Sequence, residues 1–307
     1  MTLFYAPFIR KLKKPFKNGA FSIKERKGYV FKHTDGQQTF YSEASPLPGL
    51  SLESIEDIKN GKTCPSLEFA LSTLQEDKLY HPIKLSAVIG LDDTQKTFDA
   101  IKNGFKTFKL KISPENQEVC LELMENLKIQ YPDLKLRLDA NGTFTLDQMK
   151  RLLMTLENFQ IEYFEDPLKN LDEVDKLRKL SPIPLAVDNP LHSLGQIEEL
   201  INLPFQYYIL KPSLIGSLGD IHKLVAKIEE KKKHFILSSL FETEIGLRKI
   251  YELASHYNTG MDQGLATLSY FSDHFHVDQP EMVQMPRYSI QEENYLNQLP
   301  WEKWPYA

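Results

Sequence analysis

Length, composition and charge describe an ordinary globular chain and exclude several classes of partner. Its 307 residues are enough for one large barrel of about 200–250 residues and a smaller domain. Apolar residues make up 41% of the chain and the formal net charge is −5, so there is no electrostatic reason to expect a nucleic acid or an anionic membrane as a partner.

The sequence also predicts no signal peptide, no membrane-spanning segment and no disulfide. The N-terminal stretch has no apolar core followed by a small-residue cleavage site, and no apolar run approaches the roughly 18 residues that span a bilayer. Cys64 and Cys120 lie far apart and in no metal-like spacing, which is typical of two reduced thiols. The sequence therefore predicts a cytoplasmic protein with no membrane partner.

The first 82 residues predict a small α+β module. Three segments rich in aromatic and β-branched residues are strand candidates, and Asp35-Gly36 between the last two is a strong hairpin turn signal. These segments are LFYAPFIRKL, GYVFKHT and QTFYSEA. After the Pro-Leu-Pro-Gly stretch at 46–49, helices are expected near residues 51–60 and 65–78. Strands followed by helices predict an α+β capping domain.

From Ile83 onward, short apolar runs alternate with longer amphipathic ones. This alternation predicts parallel βαβ units, and eight such strands would close a barrel. The strand candidates are IKLSAVIG, FKTFKLKI, LKLRLDA, IEYFED, IPLAVD, QYYILKP, HFILSS and, weakly, the stretch around MDQGLATL. The predicted fold is α/β, a modified (β/α)8 TIM-type barrel over residues 83–279. The α+β cap of residues 1–82 is expected to be completed by the C-terminal tail, residues 280–307.

Five charged residues fall at the C-terminal ends of successive strand candidates. They occur at intervals of 28, 26, 23 and 23 residues, about one βα unit each, and they are Lys111, Asp139, Glu165, Asp188 and Lys211. Because a barrel has its active site at the carboxyl ends of its strands, these side chains should converge on one mouth. The alternation of side chains along a strand adds Lys109 on the face of Lys111 and Arg137 on the face of Asp139.

The order Lys, Asp, Glu, Asp, Lys predicts a metal site. A lone carboxylate at a strand end is more often a helix N-cap, and a lone lysine there is more often solvated or ion-paired. Both interpretations weaken for the whole set, because ionisable groups directed into one cavity need a compensating partner. Asp139, Glu165 and Asp188 would supply oxygen ligands for Mg²⁺, with Mn²⁺ as a substitute. Such a site suits a small carboxylate substrate whose α-proton is removed by a lysine.

The motifs around these residues resemble the enolase superfamily, in the order that its barrel requires. Lys109-Leu110-Lys111 is similar to its Lys-x-Lys strand, and residues 210–213 are similar to the sixth-strand lysine motif of its muconate-lactonising-type branch. Its three metal-ligand motifs are similar to residues 138–142, 164–167 and 187–188. The resemblance implies that Lys109, Lys111 and Lys211 are catalytic, that Asp139, Glu165 and Asp188 bind metal, and that Mg²⁺ is the cofactor.

Narrower motifs resemble the o-succinylbenzoate synthase family within that superfamily. They are residues 43–49 and 65–70 in the cap, and residues 237–242 and 264–267 in the seventh- and eighth-strand loops. By this resemblance, Ser238 and the backbone of Gly264 would bind the succinyl carboxylate of the substrate. The implied reaction is a syn dehydration of a succinyl-hydroxycyclohexadiene carboxylate to o-succinylbenzoate, on the pathway to menaquinone. Lys111 would be the base, and Lys211 would stabilise negative charge from the other face of the ring.

Two residues and two other functions stay open. Asn189 follows the third ligand, where the superfamily usually has Glu, and Arg137 would either contact substrate or pair with a metal ligand. Lysines on opposite faces would equally serve an N-acylamino acid racemase, a dipeptide epimerase or a cycloisomerase. Dipeptide epimerases typically have an Asp-x-Asp pair on the eighth strand, and Asp262-Gln263-Gly264 lacks the second Asp. A catalytically inactive binding module is the third hypothesis, and the intact set of charged residues argues against it.

Overall fold

The structure, a computed structural model, combines an antiparallel cap sheet with a parallel barrel sheet. It describes residues 2–18, 21–75, 77–91, 94–188, 195, 199–286 and 288–306. The cap sheet has four strands, and the barrel sheet has seven strands that follow one another in chain order. The α/β fold with an α+β cap, as predicted from the sequence, is therefore confirmed.

The cap sheet is built from β1 (Leu3–Asn18), β2 (Phe21–Thr34), β3 (Thr39–Ala44) and β13 (Glu302–Lys303). The predicted Asp35-Gly36 turn joins β2 to β3. There the Asp35 carboxylate accepts hydrogen bonds from the backbone N–H groups of Gln37 and Gln38, and Gly36 has a φ of 97°. A positive φ is readily adopted by glycine, so the residue type and the turn geometry agree.

The C-terminal tail packs into the cap. Strand β13 pairs antiparallel with β1, with Tyr5 opposite Glu302. The indole of Trp304 is buried and meets the rings of Tyr5 and Phe31 edge to face, at centroid distances of 4.9 and 5.0 Å. This aromatic cluster also holds the cap helix Pro65–Ser72 through Leu67. The tail thus supplies both an edge strand and a core side chain to the N-terminal sheet.

The barrel strands alternate apolar and charged side chains. Phe108 and Leu110 are fully buried against the outer helices, and Lys109 and Lys111 lie on the opposite face. Leu138 and Asp139 alternate in the same way in the next strand. The strands are β5 (Ala87–Ile89), β6 (Thr107–Lys111), β7 (Lys135–Asp139), β8 (Ile161–Glu165), β9 (Leu185–Val187), β10 (Tyr207–Leu210) and β11 (His234–Leu237).

The helices return the chain between the barrel strands, and their sequences explain their ends. In Leu146–Leu156, a capping box joins Thr145 to Gln148, and Met149, Leu152 and Leu156 are buried at helical spacing. The cap and barrel helices are Ile55–Lys59, Pro65–Ser72, Thr94–Lys102, Gln117–Gln130, Leu146–Leu156, Val174–Leu180, Pro212–Ile215, Leu218–Glu230, Glu244–Tyr257 and Ile290–Gln298. Short 3₁₀ turns occupy Leu171–Glu173 and Leu268–Tyr270.

The eighth barrel strand differs from the prediction. The stretch around MDQGLATL contributes only two parallel bridges, Leu85 with Gln263 and Ser238 with Gly264. These bridges still close the barrel between β5 and β11. The side chain of Gln263 explains the irregularity, because its Oε1 accepts the backbone N–H of Leu237 and its amide nitrogen donates to the Met261 carbonyl. A side-chain amide therefore replaces part of the regular backbone ladder.

Three further segments depart from the expected elements. Strands β1 and β2 continue about six residues beyond the predicted segments, with a register shift between Lys11 and Phe16, so a long hairpin replaces the predicted short strands. Strand β4 (Ile83–Lys84) pairs antiparallel with β12 (Glu281–Met282) instead of joining the barrel sheet.

Cys64 and Cys120 are buried free thiols. None of the described helices is both long and apolar enough to cross a lipid bilayer.

Candidate active site

The predicted charged residues meet around a cavity of about 140 Å³ at the carboxyl end of the barrel. Seven of the nine predicted site residues line it: Lys109, Lys111, Asp139, Asp188, Lys211, Ser238 and Gly264. Glu165 lies below them, in contact with Lys109. The barrel therefore brings together residues that are up to 155 positions apart in the sequence (264 − 109 = 155).

Lys109 lies between two carboxylates at the base of the cavity. Its Nζ donates a 2.7 Å hydrogen bond to Glu165 Oε1 and lies 2.9 Å from Asp139 Oδ2. Glu165 and Asp139 are almost fully buried and lie directly opposite each other on the adjacent strands β8 and β7. The ammonium thus compensates part of the negative charge that the fold directs inward.

Electrostatics couple these groups strongly. Burial alone lowers the pKa of Lys109, but Asp139, Glu165 and Asp188 outweigh it and hold that pKa well above its usual value. For Glu165, burial raises the pKa well above the ordinary carboxyl value, and Lys109 opposes this shift only in part. Around Glu165 the carboxylates carry more negative charge than the lysines neutralise. This excess of negative charge favours a bound cation.

Asp188 and Lys211 form the second ion pair of the cavity. Lys211 follows the end of β10, and its Nζ donates a short hydrogen bond to Asp188 Oδ1. Burial raises the pKa of Asp188, but Lys211 and Lys109 outweigh it, so the net shift is downward. Asp188 is therefore ionised over the neutral pH range and available as an anionic ligand.

The closest group of carboxylates differs by one residue from the predicted metal set. Oxygens of Glu165, Asp166 and Asp188 lie within 4.8 Å of one another, whereas Asp139 reaches the group through Lys109. Asp166 has a φ of 42°, and its Oδ1 accepts the backbone N–H of Asp188. Sequence reasoning missed Asp166, although it directly follows Glu165 in the motif Phe164-Glu165-Asp166-Pro167.

A divalent metal fits this donor set. Glu165 Oε2 is buried and has no hydrogen-bond partner among the described residues, and an orphaned carboxylate oxygen is costly in the protein interior. Hard oxygen donors without nitrogen or sulfur ligands suit Mg²⁺. Glu165 and Asp188, with Asp139 or Asp166, are the residues that would hold it.

The two outer lysines face the cavity from opposite walls. Lys111 belongs to β6 and Lys211 follows β10, and three strands, β7, β8 and β9, separate them in the sheet. The Lys111 Nζ lies 6.0 Å from the centroid of the Phe16 ring. Lys109 and Lys211 form ion pairs with carboxylates, whereas Lys111 forms no ion pair with the described residues. A flat molecule in the cavity would have one lysine on each face.

An apolar wall covers the other side of the cavity, and we define it as Phe16, Leu47, Leu50, Phe241 and Tyr270. The Phe241 ring packs against Phe16 at 4.4 Å and meets Tyr270 edge to face at 5.3 Å. The first three residues come from the cap, and the last two come from barrel loops. Leu47 and Phe241 belong to the motifs 43–49 and 237–242, but periodicity did not identify the wall, since apolar residues in loops carry no periodic pattern.

The structure bears on two of the expected substrate contacts, Arg137 and the backbone of Gly264. Arg137 is 1% exposed, its Nε lies 2.5 Å from Glu162, and it does not line the cavity. It therefore forms a buried ion pair inside the barrel with Glu162, which is not one of the predicted metal ligands. The backbone N–H of Gly264 donates to the Leu237 carbonyl to close the barrel, so it is already engaged. Asn189, the departure after the third ligand, lies outside the described residues.

Ser238 remains as a polar group on the cavity wall. Its Oγ is 3.4 Å from the carbonyl of Gly264, a long hydrogen bond that a better acceptor would displace. A Cβ on Gly264 would come within 3.0 Å of Ser238 Oγ. The glycine therefore leaves room for the Ser238 hydroxyl.

Comparisons with known proteins agree with this geometry. A model of the enolase C-terminal domain-like family matches residues 93–293. The o-succinylbenzoate synthase of Yersinia enterocolitica is 26% identical over 273 residues, which cover 80% of this chain and 84% of that protein. Both resemblances expected from the motifs are thus confirmed as similarities.

Solved structures share the fold over nearly the whole chain. The o-succinylbenzoate synthase of Thermosynechococcus elongatus BP-1, complexed with Mg in the active site, has a TM-score of 0.77 at 21% identity and covers 97% of this chain and 100% of its own. An N-succinyl Arg/Lys racemase from Bacillus cereus has a TM-score of 0.79 at 16% identity, with 99% of both chains covered. With a family match over more than half of its length, the chain belongs to the enolase C-terminal domain-like family.

Proposed function

We propose that the protein is an o-succinylbenzoate synthase that dehydrates a succinyl-hydroxycyclohexadiene carboxylate with the help of Mg²⁺. The observation that carries this proposal is the pair Lys111 and Lys211, which face one cavity from opposite walls above a cluster of carboxylates. The relatives named o-succinylbenzoate synthase support the same substrate class.

In the proposed reaction Lys111 acts first as base and then as acid. Its Nζ accepts the proton on the ring carbon that bears the carboxylate, and the electron pair of that C–H bond moves into the carboxylate group to give an enediolate. The pair then returns to form the new ring double bond as the neighbouring C–O bond breaks. The Lys111 ammonium then gives its proton to the departing hydroxide, which leaves as water. Both transfers occur on one face, so the elimination is syn and the ring becomes aromatic.

Lys211 and the carboxylates have different tasks. Lys211 forms an ion pair with Asp188, and from the other face it would stabilise the negative charge that develops on the substrate carboxylate. When bound, Mg²⁺ would supply further charge stabilisation at that carboxylate, held by Glu165 and Asp188 with Asp139 or Asp166. The apolar wall would pack on the ring and exclude water.

The two parts of the chain divide this work. We propose a cap of residues 1–82, completed by residues 280–307, which supplies Phe16, Leu47 and Leu50 to the apolar wall. The barrel of residues 83–279 supplies the lysines and carboxylates. Ser238 would donate to the succinyl carboxylate, without the backbone of Gly264. We also propose that the enzyme acts in the cytoplasm, on the route to menaquinone.

An N-acylamino acid racemase, dipeptide epimerase or cycloisomerase is the second candidate. The opposed lysines would serve two-base epimerisation equally well, and structures of an N-succinyl Arg/Lys racemase and of dipeptide epimerases share the fold. Against it, Asp262 is followed by Gln263 and Gly264, so the Asp-x-Asp pair for a substrate ammonium is missing. The two candidates differ in the bond that breaks.

The decisive experiment is an assay of the purified protein with Mg²⁺ and the cyclohexadiene substrate. N-acylamino acids and dipeptides are run in parallel, and Lys111→Ala serves as the matched negative control. We expect aromatic product to form, with a kcat/KM for dehydration well above that for any epimerisation. Racemisation without dehydration would replace the first candidate by the second.

A further inference from the structure

Arg26, on strand β2 of the cap, is a buried guanidinium that binds carbonyl oxygens instead of a carboxylate. It is 1% exposed, and every hydrogen bond that it makes to the described residues ends on a backbone carbonyl or hydroxyl oxygen. Its Nη1 donates to the Pro46 carbonyl at 3.0 Å, and its Nη2 donates to Ser45. Burial lowers the pKa of Arg26, and Glu242 and Glu43, neither of which it bonds directly, oppose this shift only in part.

The remaining donor of Arg26 crosses from the cap to the barrel. Its Nε donates a 3.0 Å hydrogen bond to the carbonyl of Phe241. Phe241 has a φ of 59°, in the left-handed region that a bulky L-residue seldom adopts. The backbone N–H of Phe241 donates to Ser239 Oγ at 2.8 Å. Both polar groups of this strained residue are therefore tied down, one of them by the cap.

The strained backbone decides where the Phe241 ring lies. In the observed conformation the ring packs on Phe16 and Tyr270 and completes the apolar wall of the cavity. The same guanidinium binds the Ser45 and Pro46 carbonyls, which directly precede Leu47 of that wall. One side chain thus connects the cap loop and the barrel loop that form the wall on two sides.

We propose that Arg26 is a positioning residue for substrate affinity, which holds Phe241 and Leu47 against the substrate ring without touching the substrate. The inference rests on the proposed function only for the identity of that ring. The apolar wall offers no charged or hydrogen-bonding group to the carboxylate on which charge develops, so its contacts with the ring should be nearly equal in the ground state and in the transition state. Loss of Arg26 should therefore raise KM and leave kcat nearly unchanged.

The first test uses the protein without substrate, so that it does not depend on the proposed reaction. Hydrogen–deuterium exchange is followed for the segment 239–243 in wild type, Arg26→Met and Arg26→Lys. The matched control is Arg10→Met, which removes another buried cap arginine that pairs with Glu244 and Asp273. We expect exchange in this segment to be about tenfold faster in Arg26→Met, intermediate in Arg26→Lys and unchanged in Arg10→Met.

The second test measures steady-state kinetics of the same variants and of Phe241→Ala. Arg26→Met and Phe241→Ala should each raise KM about tenfold with kcat within about threefold of wild type. The double variant should raise KM no further than Phe241→Ala alone, since Arg26 acts through that ring. Arg26→Lys, which keeps the charge on a single donor nitrogen, covers the case in which Arg26→Met does not fold.

The outcomes separate this inference from the proposed function. Exchange in 239–243 that is the same in the Arg26 variants and in Arg10→Met would overturn the positioning role, whatever the substrate. A kcat that falls as far as kcat/KM, or fully additive effects in the double variant, would overturn it as well. An inactive wild-type enzyme with faster exchange in Arg26→Met would refute the reaction and leave the positioning role supported.

Discussion

Lys109 donates a 2.7 Å hydrogen bond to Glu165 Oε1, and the other oxygen of that buried carboxylate has no hydrogen-bond partner in the described part of the chain. Lys109→Met removes the cationic partner of Glu165 and leaves that carboxylate facing Asp139. Without Mg²⁺ the free energy of unfolding should fall by about 3 kcal/mol, as expected when one partner of a buried ion pair is lost. Mg²⁺ should then raise the melting temperature more in the variant than in wild type.

Thermal unfolding with and without Mg²⁺ measures the stability of Lys109→Met and its response to the ion. Lys150→Met is the control for loss of a surface lysine. Within the described part of the chain Lys150 pairs with exposed Asp147 alone, so its variant should respond to Mg²⁺ like wild type. An equal response of Lys109→Met and wild type would mean that the ion does not bind beside Glu165.

Asp166 and Asp139 can be distinguished as metal ligands by isosteric variants. The oxygens of Asp166 lie within 4.8 Å of those of Glu165 and Asp188, whereas Asp139 contacts Lys109. Asp166→Asn and Asp139→Asn each remove one negative charge with little change in shape. Calorimetric titration with Mg²⁺ should show affinity reduced at least about tenfold for whichever residue is a direct ligand. Asp188→Asn is the positive control, and unchanged affinity in that variant would refute the proposed site.

The two outer lysines should separate in a solvent-exchange experiment. Lys111→Ala removes the proposed base, which costs about 10²–10⁴-fold in turnover. Lys211→Ala removes the charge that pairs with Asp188 and should impair turnover at least as much. In D₂O, the Lys211 variant should still exchange the substrate α-proton slowly, and the Lys111 variant should not. Exchange by the Lys111 variant alone would reverse the two roles.

The outer barrel helix Glu244–Tyr257 gives a pH prediction far from the site. Burial raises the pKa of Glu252 from its ordinary value of 4.5 to about 7, against a smaller opposing effect of Lys249. Because the folded state holds this proton more tightly, the stabilisation is complete below pH 4.5 and is lost as the pH rises through about 7. Glu252→Gln should remove this dependence.

Urea unfolding at pH 5 and pH 8 tests the point. The variant's free energy of unfolding minus that of wild type should be larger at pH 8 than at pH 5, so the variant gains relative stability at the higher pH. A difference that is independent of pH would show that Glu252 titrates normally in the folded protein.

The charged residues of the site were predictable because strand periodicity and barrel geometry leave little freedom. Lys111 and Asp139 end strands β6 and β7, Asp188 directly follows strand β9, and the parallel sheet brings these ends to one cavity. Asp166 was missed because a second acid after a strand also suits a turn, and its left-handed backbone is not visible in sequence. The eighth strand was only weakly predicted, since the side chain of Gln263 takes over backbone hydrogen bonds.

The cap contribution was harder to predict for a physical reason. Phe16 and Phe241 are 225 positions apart (241 − 16 = 225), and they meet only because the hairpin of β1 and β2 extends beyond its apolar core. The register shift between Lys11 and Phe16 interrupts the alternation on which strand prediction depends. The engaged N–H of Gly264 and the ion pair of Arg137 likewise follow from three-dimensional partners that no local pattern specifies.

The pairing of β13 with β1 also has a consequence for biosynthesis. Strands β1, β2 and β3 are synthesised first, yet their outer edge and the space for the Trp304 indole are filled by residues nearly 300 positions later. On the ribosome, the N-terminal sheet must therefore wait with an unpaired edge and an incomplete core until residues 302–304 have emerged. The domain that is encoded first is thus the domain that matures last, after the barrel has had the time to fold beside it.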